Sequence, residues 1–265
     1  MQQQVFIFNP EYVYYDAITN HFGLKFKKER DMREKIVAFQ IVLLLGFFGG
    51  QTLFAQTDSL PAISTSASVD LMSRYIWRGQ EYGQAPSIQP AMSATWKDFT
   101  IGAWGAYKLS GAGMQETDLY LSKTVGQFTF AIWDYWSFCD TTSTDLFNYD
   151  QKTTAHLLEA QVLVSGGEKL PFNLLGSYLF YGADTSKSIY FELQYLYSTR
   201  STELQFFSGF QAKGEYYGQN ATFVNLGCTM IKTIDVTDRW SLPLSLSFIV
   251  NPSQNSAYLV AGITL

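Results

Sequence analysis

Charge, cysteine and histidine are all scarce in this chain. Only 15% of its 265 residues are charged, and the formal net charge of −5 leaves no basic surface for nucleic acid. The two cysteines, Cys139 and Cys228, stand far apart with no motif around them, so both are expected to be free thiols without a metal or redox role. No GxGxxG, P-loop, CxxC or histidine-rich ligand set occurs, so no cofactor and no metal site is expected. Few lysines, glutamates and alanines accompany a high aromatic content of 17%, a balance that disfavours helix and favours strands.

Long apolar runs are absent except for one, 36-IVAFQIVLLLGFFGG-50. Arg33 and Lys35 precede it and 53-LFAQ-56 follows, the order of a signal peptide cut after Ala55. A membrane-spanning helix needs about 20 apolar residues, more than this run supplies. The expected organisation is an upstream extension over 1–31, a signal peptide over 32–55, a short periplasmic segment over 56–64 and a single domain over 65–265. No cysteine lies near Ala55, which argues against a lipid-anchored N-terminus. Beyond Ala55 the chain carries 12 Lys and Arg against 18 Asp and Glu, a net charge of −6.

From residue 65 onward, segments of about ten residues alternate apolar and polar, the period of a strand with two chemically different faces. Twelve such segments are predicted: 65–78, 87–97, 99–108, 116–125, 128–138, 154–164, 172–181, 188–198, 202–212, 222–234, 240–250 and 256–265. Connections after even-numbered segments are mostly short (Asp98, then 126-GQ-127), and those after odd-numbered ones are longer (79–86, 139–153, 213–221). That parity is how an up-and-down transmembrane barrel distributes periplasmic turns and extracellular loops. The expected fold is therefore all-β: an up-and-down antiparallel transmembrane β-barrel of about 12 strands behind a signal peptide.

The segment faces agree. Leu242, Leu244, Leu246, Phe248 and Val250 oppose Ser241, Ser245 and Ser247, and Phe191, Leu193 and Tyr195 oppose Glu192 and Gln194. Aromatics such as Trp96, Phe99, Phe128, Phe172 and Trp240 fall near segment ends, where interfacial girdles belong. A ten-residue strand of about 33 Å, tilted by about 40°, spans about 25 Å of height, the outer-membrane apolar band. The final segment ends on apolar Leu265, as a closing strand with an assembly signal does. One residue is a misfit. Asp134 shares the parity of the lipid-facing Phe128, Phe130 and Ile132, so either the strand leaves the membrane there or a bulge near Trp133 switches its register.

His156 is the one histidine beyond Ala55, and an enzyme would need it as a base. It lies three residues from Glu159, so a strand points the two to opposite faces, and no nucleophile motif accompanies them. No catalytic activity is expected. Alternation places a different set inward: Asp70, Arg74 and Arg78, then Trp104 and Lys108, Glu116, Asp118 and Tyr120, and Glu159, Glu192 and Glu203. The cations gather early in the chain and the carboxylates later. These charges either form a transverse field across a narrow pore or pair with one another and fill the barrel. Twelve strands lie between filled and conducting sizes, so both readings stand. In the stretch 73-SRYIWRGQ-80 the same alternation sends Arg74, Ile76 and Arg78 inward and Tyr75 and Trp77 to the lipid interface, with Gly79 starting the first long loop.

The stretches 73-SRYIWRGQ-80, 87-SIQPAMSATWKDFTIGAWG-105, 133-WDYW-136, 153-TTAHLLEAQV-162 and 241-SLPLSLSFIVNPSQNSAYLVAGITL-265 resemble outer-membrane barrel proteins of Bacteroidales-type bacteria. The chain is similar to the broader porin-like family called TorF. The resemblance covers most of residues 66–265 and implies an outer-membrane barrel and, loosely, passive transport. It supplies no substrate and no catalytic residues. The expected partners are outer-membrane lipid and small polar solutes, with no nucleic acid. The expected function is a narrow porin-like channel for small hydrophilic solutes, or else a closed barrel with a structural or surface-binding role through its loops.

Overall fold

The computed structural model describes residues 63–265 other than 112, 140–144, 168–169 and 238–239. The expected extension, the signal peptide and most of the periplasmic segment lie outside the described residues. Strand β1 spans Ser64–Met72, followed by β2 (Tyr75–Trp77), β3 (Gln80–Gly83), β4 (Ser87–Trp96), β5 (Phe99–Lys108), β6 (Met114–Val125) and β7 (Phe128–Cys139). The second half holds β8 (His156–Ser165), β9 (Phe172–Gly182), β10 (Ile189–Ser198), β11 (Thr202–Lys213), β12 (Thr222–Thr237), β13 (Trp240–Asn251) and β14 (Ser256–Thr264).

Twelve of these strands, β1 and β4 to β14, close into one antiparallel up-and-down barrel, each paired with its neighbours in chain order. Closure leaves no continuous strand edge exposed. The seam between β1 and β14 is the shortest, with Asp70, Leu71 and Met72 opposite Thr264, Ile263 and Gly262. The expected strand order and number hold, and the ends differ by a few residues. The largest difference at the even-strand turns is at β12, which runs to Thr237 and leaves only residues 238–239 before β13.

Register fixes the faces. Met92, Ala103, Leu119, Leu121 and Ile132 stand in one outward row system with Val162, Leu193, Phe206, Leu246 and Leu259. Their exposure is high, 64% for Met92 and 65% for Leu259, so the wall is apolar on its outside. At the short-turn end Trp96, Phe99, Phe128, Phe172 and Trp240 are exposed and form an aromatic collar. Lys97 sits over the Trp96 ring and Lys123 over Phe99, each cation within 5 Å of the ring centre.

One expectation is corrected, and one open alternative is narrowed. The first strand does not run to residue 78. It stops at Met72, and β2 and β3 form a separate hairpin. Trp77 pairs with Gln80 around the two-residue turn Arg78–Gly79, whose φ angles of 49° and 78° are both positive. That is the backbone of a primed hairpin turn. Tyr75 and Trp77 consequently do not face lipid. Both pack into the lumen, Tyr75 against Trp104 and Trp77 against Tyr135. The narrowed alternative concerns Asp134. The β6–β7 and β7–β8 registers run unbroken through it, opposite Leu119 and Leu158, so no bulge occurs and Asp134 keeps the outward face.

Candidate functional site

The hairpin enters the lumen because its two faces match what the wall offers there. Inside the upper barrel the wall presents buried carboxylates and tyrosines, and the hairpin brings a guanidinium, phenols and an indole. Arg78, at the hairpin tip, is 8% exposed and Glu159, on β8, is fully buried. The guanidinium meets the carboxylate through two bonds, Nη1 to Oε1 at 2.5 Å and Nη2 to Oε2 at 3.1 Å. This is the bidentate geometry that makes arginine–carboxylate pairs strong. Arg78 also donates to the Tyr217 hydroxyl, and its plane lies over the rings of Trp77 and Tyr190 at 4.6 and 4.4 Å. Glu159 accepts further bonds from Tyr135 Oη at 2.7 Å and from the Gln161 amide. The buried pair is thus fully satisfied, the condition under which such a pair does not undermine the fold.

The tip is held from several sides. Asn251 Nδ2 donates to the Gly79 carbonyl at 3.0 Å. Val224 is the extra residue of a bulge in β12, where the register steps from Gly209↔Asn225 to Phe210↔Phe223. Its carbonyl occupies the space a Cβ on Gly79 would need, so only glycine fits that turn position. Tyr75 Oη donates to Glu116 Oε1 at 2.7 Å, and Gln80 Nε2 donates to the Tyr216 carbonyl at 2.9 Å.

Tyr216 and Tyr217 belong to the loop 214–221, which folds inward rather than out. The buried Gln211 organises it, its amide donating to the carbonyls of Gly214, Gly218 and Asn220 and its oxygen accepting the Tyr217 N–H at 2.8 Å. The neighbouring loop is shaped by Asp184, whose carboxylate accepts the N–H groups of Ser186 and Ser188. Ser186 and Ser188 hydroxyls in turn accept the N–H groups of Glu215 and Tyr216, tying the two loops together.

This packing divides the lumen. Toward the long-loop rim lies a cavity of about 250 Å³ bordered by Trp77, Tyr82, Tyr135 and Tyr216. On the other side of the Trp77–Tyr135 contact lie two adjoining cavities of about 340 and 380 Å³, which share Arg78, Trp104, Glu192 and Asn225. Toward the short-turn end the inner wall loosens, and inward-facing Ser66, Thr124, Glu203 and Thr233 are exposed. The hairpin and the loop 214–221 thus occupy the lumen near the long-loop rim, and the described inner wall is less filled toward the short-turn end.

The residues expected inward are placed as follows. Glu116, Asp118, Glu159 and Glu192 are buried in the lumen, with Glu192 accepting bonds from Tyr190, Gln194 and Asn225. Tyr120 stacks on Trp133 at 4.3 Å, and Trp104 borders both lower cavities. Asp70 sits inward beside Gln89 on β4. Arg78 is inward, but from the hairpin tip and not from a wall strand. Arg74, 44% exposed, pairs with Glu81 across the hairpin. Lys108 is at the rim, donating to the Gly113 carbonyl at 2.5 Å, and Glu203 is exposed at the opposite end. Tyr82, Tyr216, Tyr217, Gln211 and Asn251 were not anticipated as parts of the site. For the two loop tyrosines the one available signal was 213-KGEYYGQNA-221, two adjacent aromatics inside an otherwise polar loop.

Outside the wall, Asp134 has partners. Tyr149 Oη donates to its Oδ2 at 2.6 Å, and His156 Nδ1 lies 2.7 Å from its Oδ1. His156 Nε2 lies 2.7 Å from the Leu146 carbonyl, and Tyr181 donates to the Tyr149 carbonyl. The segment 145–155 therefore lies down over the outer wall and covers the one acidic residue that, among the described residues, the register puts there. His156 does face away from Glu159, as alternation requires.

Fold and site together define a twelve-stranded β-barrel with an apolar exterior and an internal hairpin plug. Neither protein-family models nor curated proteins match the chain. Among solved structures it is similar to the crystal structure of an outer membrane channel from Pseudomonas putida F1, at 12% identity and a TM-score of 0.38, over 81% of this chain and 98% of that one.

Proposed function

We propose that the protein is an outer-membrane channel that its own hairpin holds shut, with small hydrophilic solutes passing when the hairpin undocks. The membrane reading is supported by the outer wall. Each large apolar side chain left in water forgoes about 1.5–3 kcal/mol of burial, and here such residues cover a whole barrel circumference. The aromatic collar at the short-turn end supports the same reading.

The single observation that carries the closed state is the buried Arg78–Glu159 pair, sealed by Trp77, Tyr190 and Tyr217 in the upper lumen. A permanently sealed barrel would be served as well by apolar filling, which costs no desolvation. A charge pair at a hairpin tip is instead a contact that can be exchanged for water. Planar-bilayer recording tests this reading. The parent protein is expected to be mostly closed and Arg78→Ala frequently open. Steady large conductance from the parent would refute the plug.

A second reading, a non-conducting barrel that acts through its surface, is favoured by the segment 145–155 clamped on the outer wall. Silence from both parent and Arg78→Ala, with the barrel intact, would select it.

A further inference from the structure

The wall itself has a flaw at the β4–β5 seam. Pairing there runs Ser87↔Lys108 and Ile88↔Tyr107, then resumes at Ala91↔Trp104 without any slip of register. The two intervening positions, Gln89 opposite Ala106 and Pro90 opposite Gly105, are unladdered. Pro90 has no N–H to give Gly105, and proline inside a barrel strand marks a break in the ladder. On its other side β4 pairs continuously with β1, Val69 opposite Pro90, and β5 pairs continuously with β6, Gly105 opposite Thr117. The interruption is confined to one seam.

A groove of about 550 Å³ lies at that seam. Small outward-facing residues line it, Ala67, Pro90, Ala103 and Gly105, with Met92 and Leu265 beside them. It is also bordered by Ala91 and Trp104, whose register points them inward. Trp104 borders both lower luminal cavities too. One indole therefore stands between the lipid-side groove and the luminal chamber.

We infer that the β4–β5 seam is a lateral opening, and that the acyl chain of a bilayer lipid occupies the groove and reaches Trp104 through the wall. The inference rests on the membrane reading above. The groove is continuous with the apolar exterior at the level of Met92, so acyl chains are what surrounds it. Its edge is mostly apolar, and the Tyr107 and Thr117 hydroxyls there bond each other at 2.8 Å. The chamber, shut toward the long-loop rim by the hairpin, thereby gains an apolar side exit.

Trp104 fluorescence in vesicles of phosphatidylcholine brominated at mid-chain tests this. The Trp104 contribution is read as the difference between the full-length protein and Trp104→Phe, and the outward Trp96 is read in the same way through Trp96→Phe. Bromine quenches on near-contact, so a luminal indole behind an intact wall stays bright. The expected result is quenching of Trp104 by a fraction comparable to Trp96, abolished when Pro90→Cys and Gly105→Cys are oxidised to a disulfide across the seam. Should that pair fail to refold, Pro90→Val supplies the missing N–H and is expected to reduce the quenching. Unquenched Trp104 beside quenched Trp96, or quenching indifferent to both seam variants, overturns the opening. Trp96 and Trp240 left unquenched both by this lipid and by phosphatidylcholine brominated near the headgroup would instead refute the membrane reading on which it stands.

Discussion

Removing the Arg78 guanidinium perturbs the plug where it is most concentrated. Each of its polar and ring contacts beyond the hairpin runs to the wall or to the loop 214–221: Glu159 on β8, Tyr190 on β10 and Tyr217. Taking one partner from a buried ion pair costs about 3–5 kcal/mol, because the other charge is stranded. Glu159 keeps its bonds from Tyr135 and Gln161, so the lower end, about 3 kcal/mol, applies to Arg78→Ala. At about 1.4 kcal/mol per factor of ten, that lowers the ratio of docked to undocked hairpin by about a hundredfold. The barrel ladder is untouched, so the cost falls on docking and not on the wall. Single-channel recording should show open time rising by about two decades, with gel mobility of the unheated barrel unchanged. Glu159→Gln, which keeps the shape and strands the cation instead, should act in the same direction. An Arg78→Ala barrel that folds normally and stays as closed as the parent would refute the reasoning.

Gly79→Ala should also undock the hairpin, since the added Cβ meets the Val224 carbonyl and the φ of 78° strains alanine by about 1–3 kcal/mol; unchanged open time in single-channel recording would count against the docked geometry. Asp134→Asn or Tyr149→Phe should release the segment 145–155, read as faster protease cleavage there while the strands stay protected. Burial, and then the bond to and charge of Asp134, hold the Tyr149 phenol above its ordinary value of 10.0. A raised phenol contributes its stability below the unfolded value and loses it only as pH climbs above it, so protection of 145–155 should stay flat from neutral pH up to 10.0. A loss of protection of 145–155 between neutral pH and pH 10.0 would contradict that sign.

The barrel was legible because its physics is periodic. Alternation such as Leu242 to Val250 against Ser241 to Ser247 sets the faces by itself, and glycine and polar clusters mark the turns. The plug was not legible, because it uses the same alphabet. Tyr75 to Gly83 alternates as a strand does, so β2 merged into β1 without a visible seam. The turn that separates β2 from β3 is Arg–Gly, and not the Asn–Gly or Asp–Gly pair that announces a two-residue hairpin. Alternation also cannot say whether a strand's inner face meets water or another segment. Arg78 and Glu159 were both expected inward, yet their meeting depends on the chain leaving the wall after Met72 and on the bulge at Val224. Asp134 was a misfit for the same reason. The segment 145–155 that satisfies it arrives from a loop, where periodicity carries no information.

The central claim is that the hairpin closes the lumen, and excising it tests this most directly. Met72 and Ser87 are paired neighbours, so a short glycine–serine turn can replace residues 74–83 without straining β1 or β4. In vesicle-swelling assays with small sugars, the intact barrel should admit almost nothing and the excised barrel should admit sugar freely. Equal swelling by the two folded barrels, whether fast or absent in both, would contradict the account.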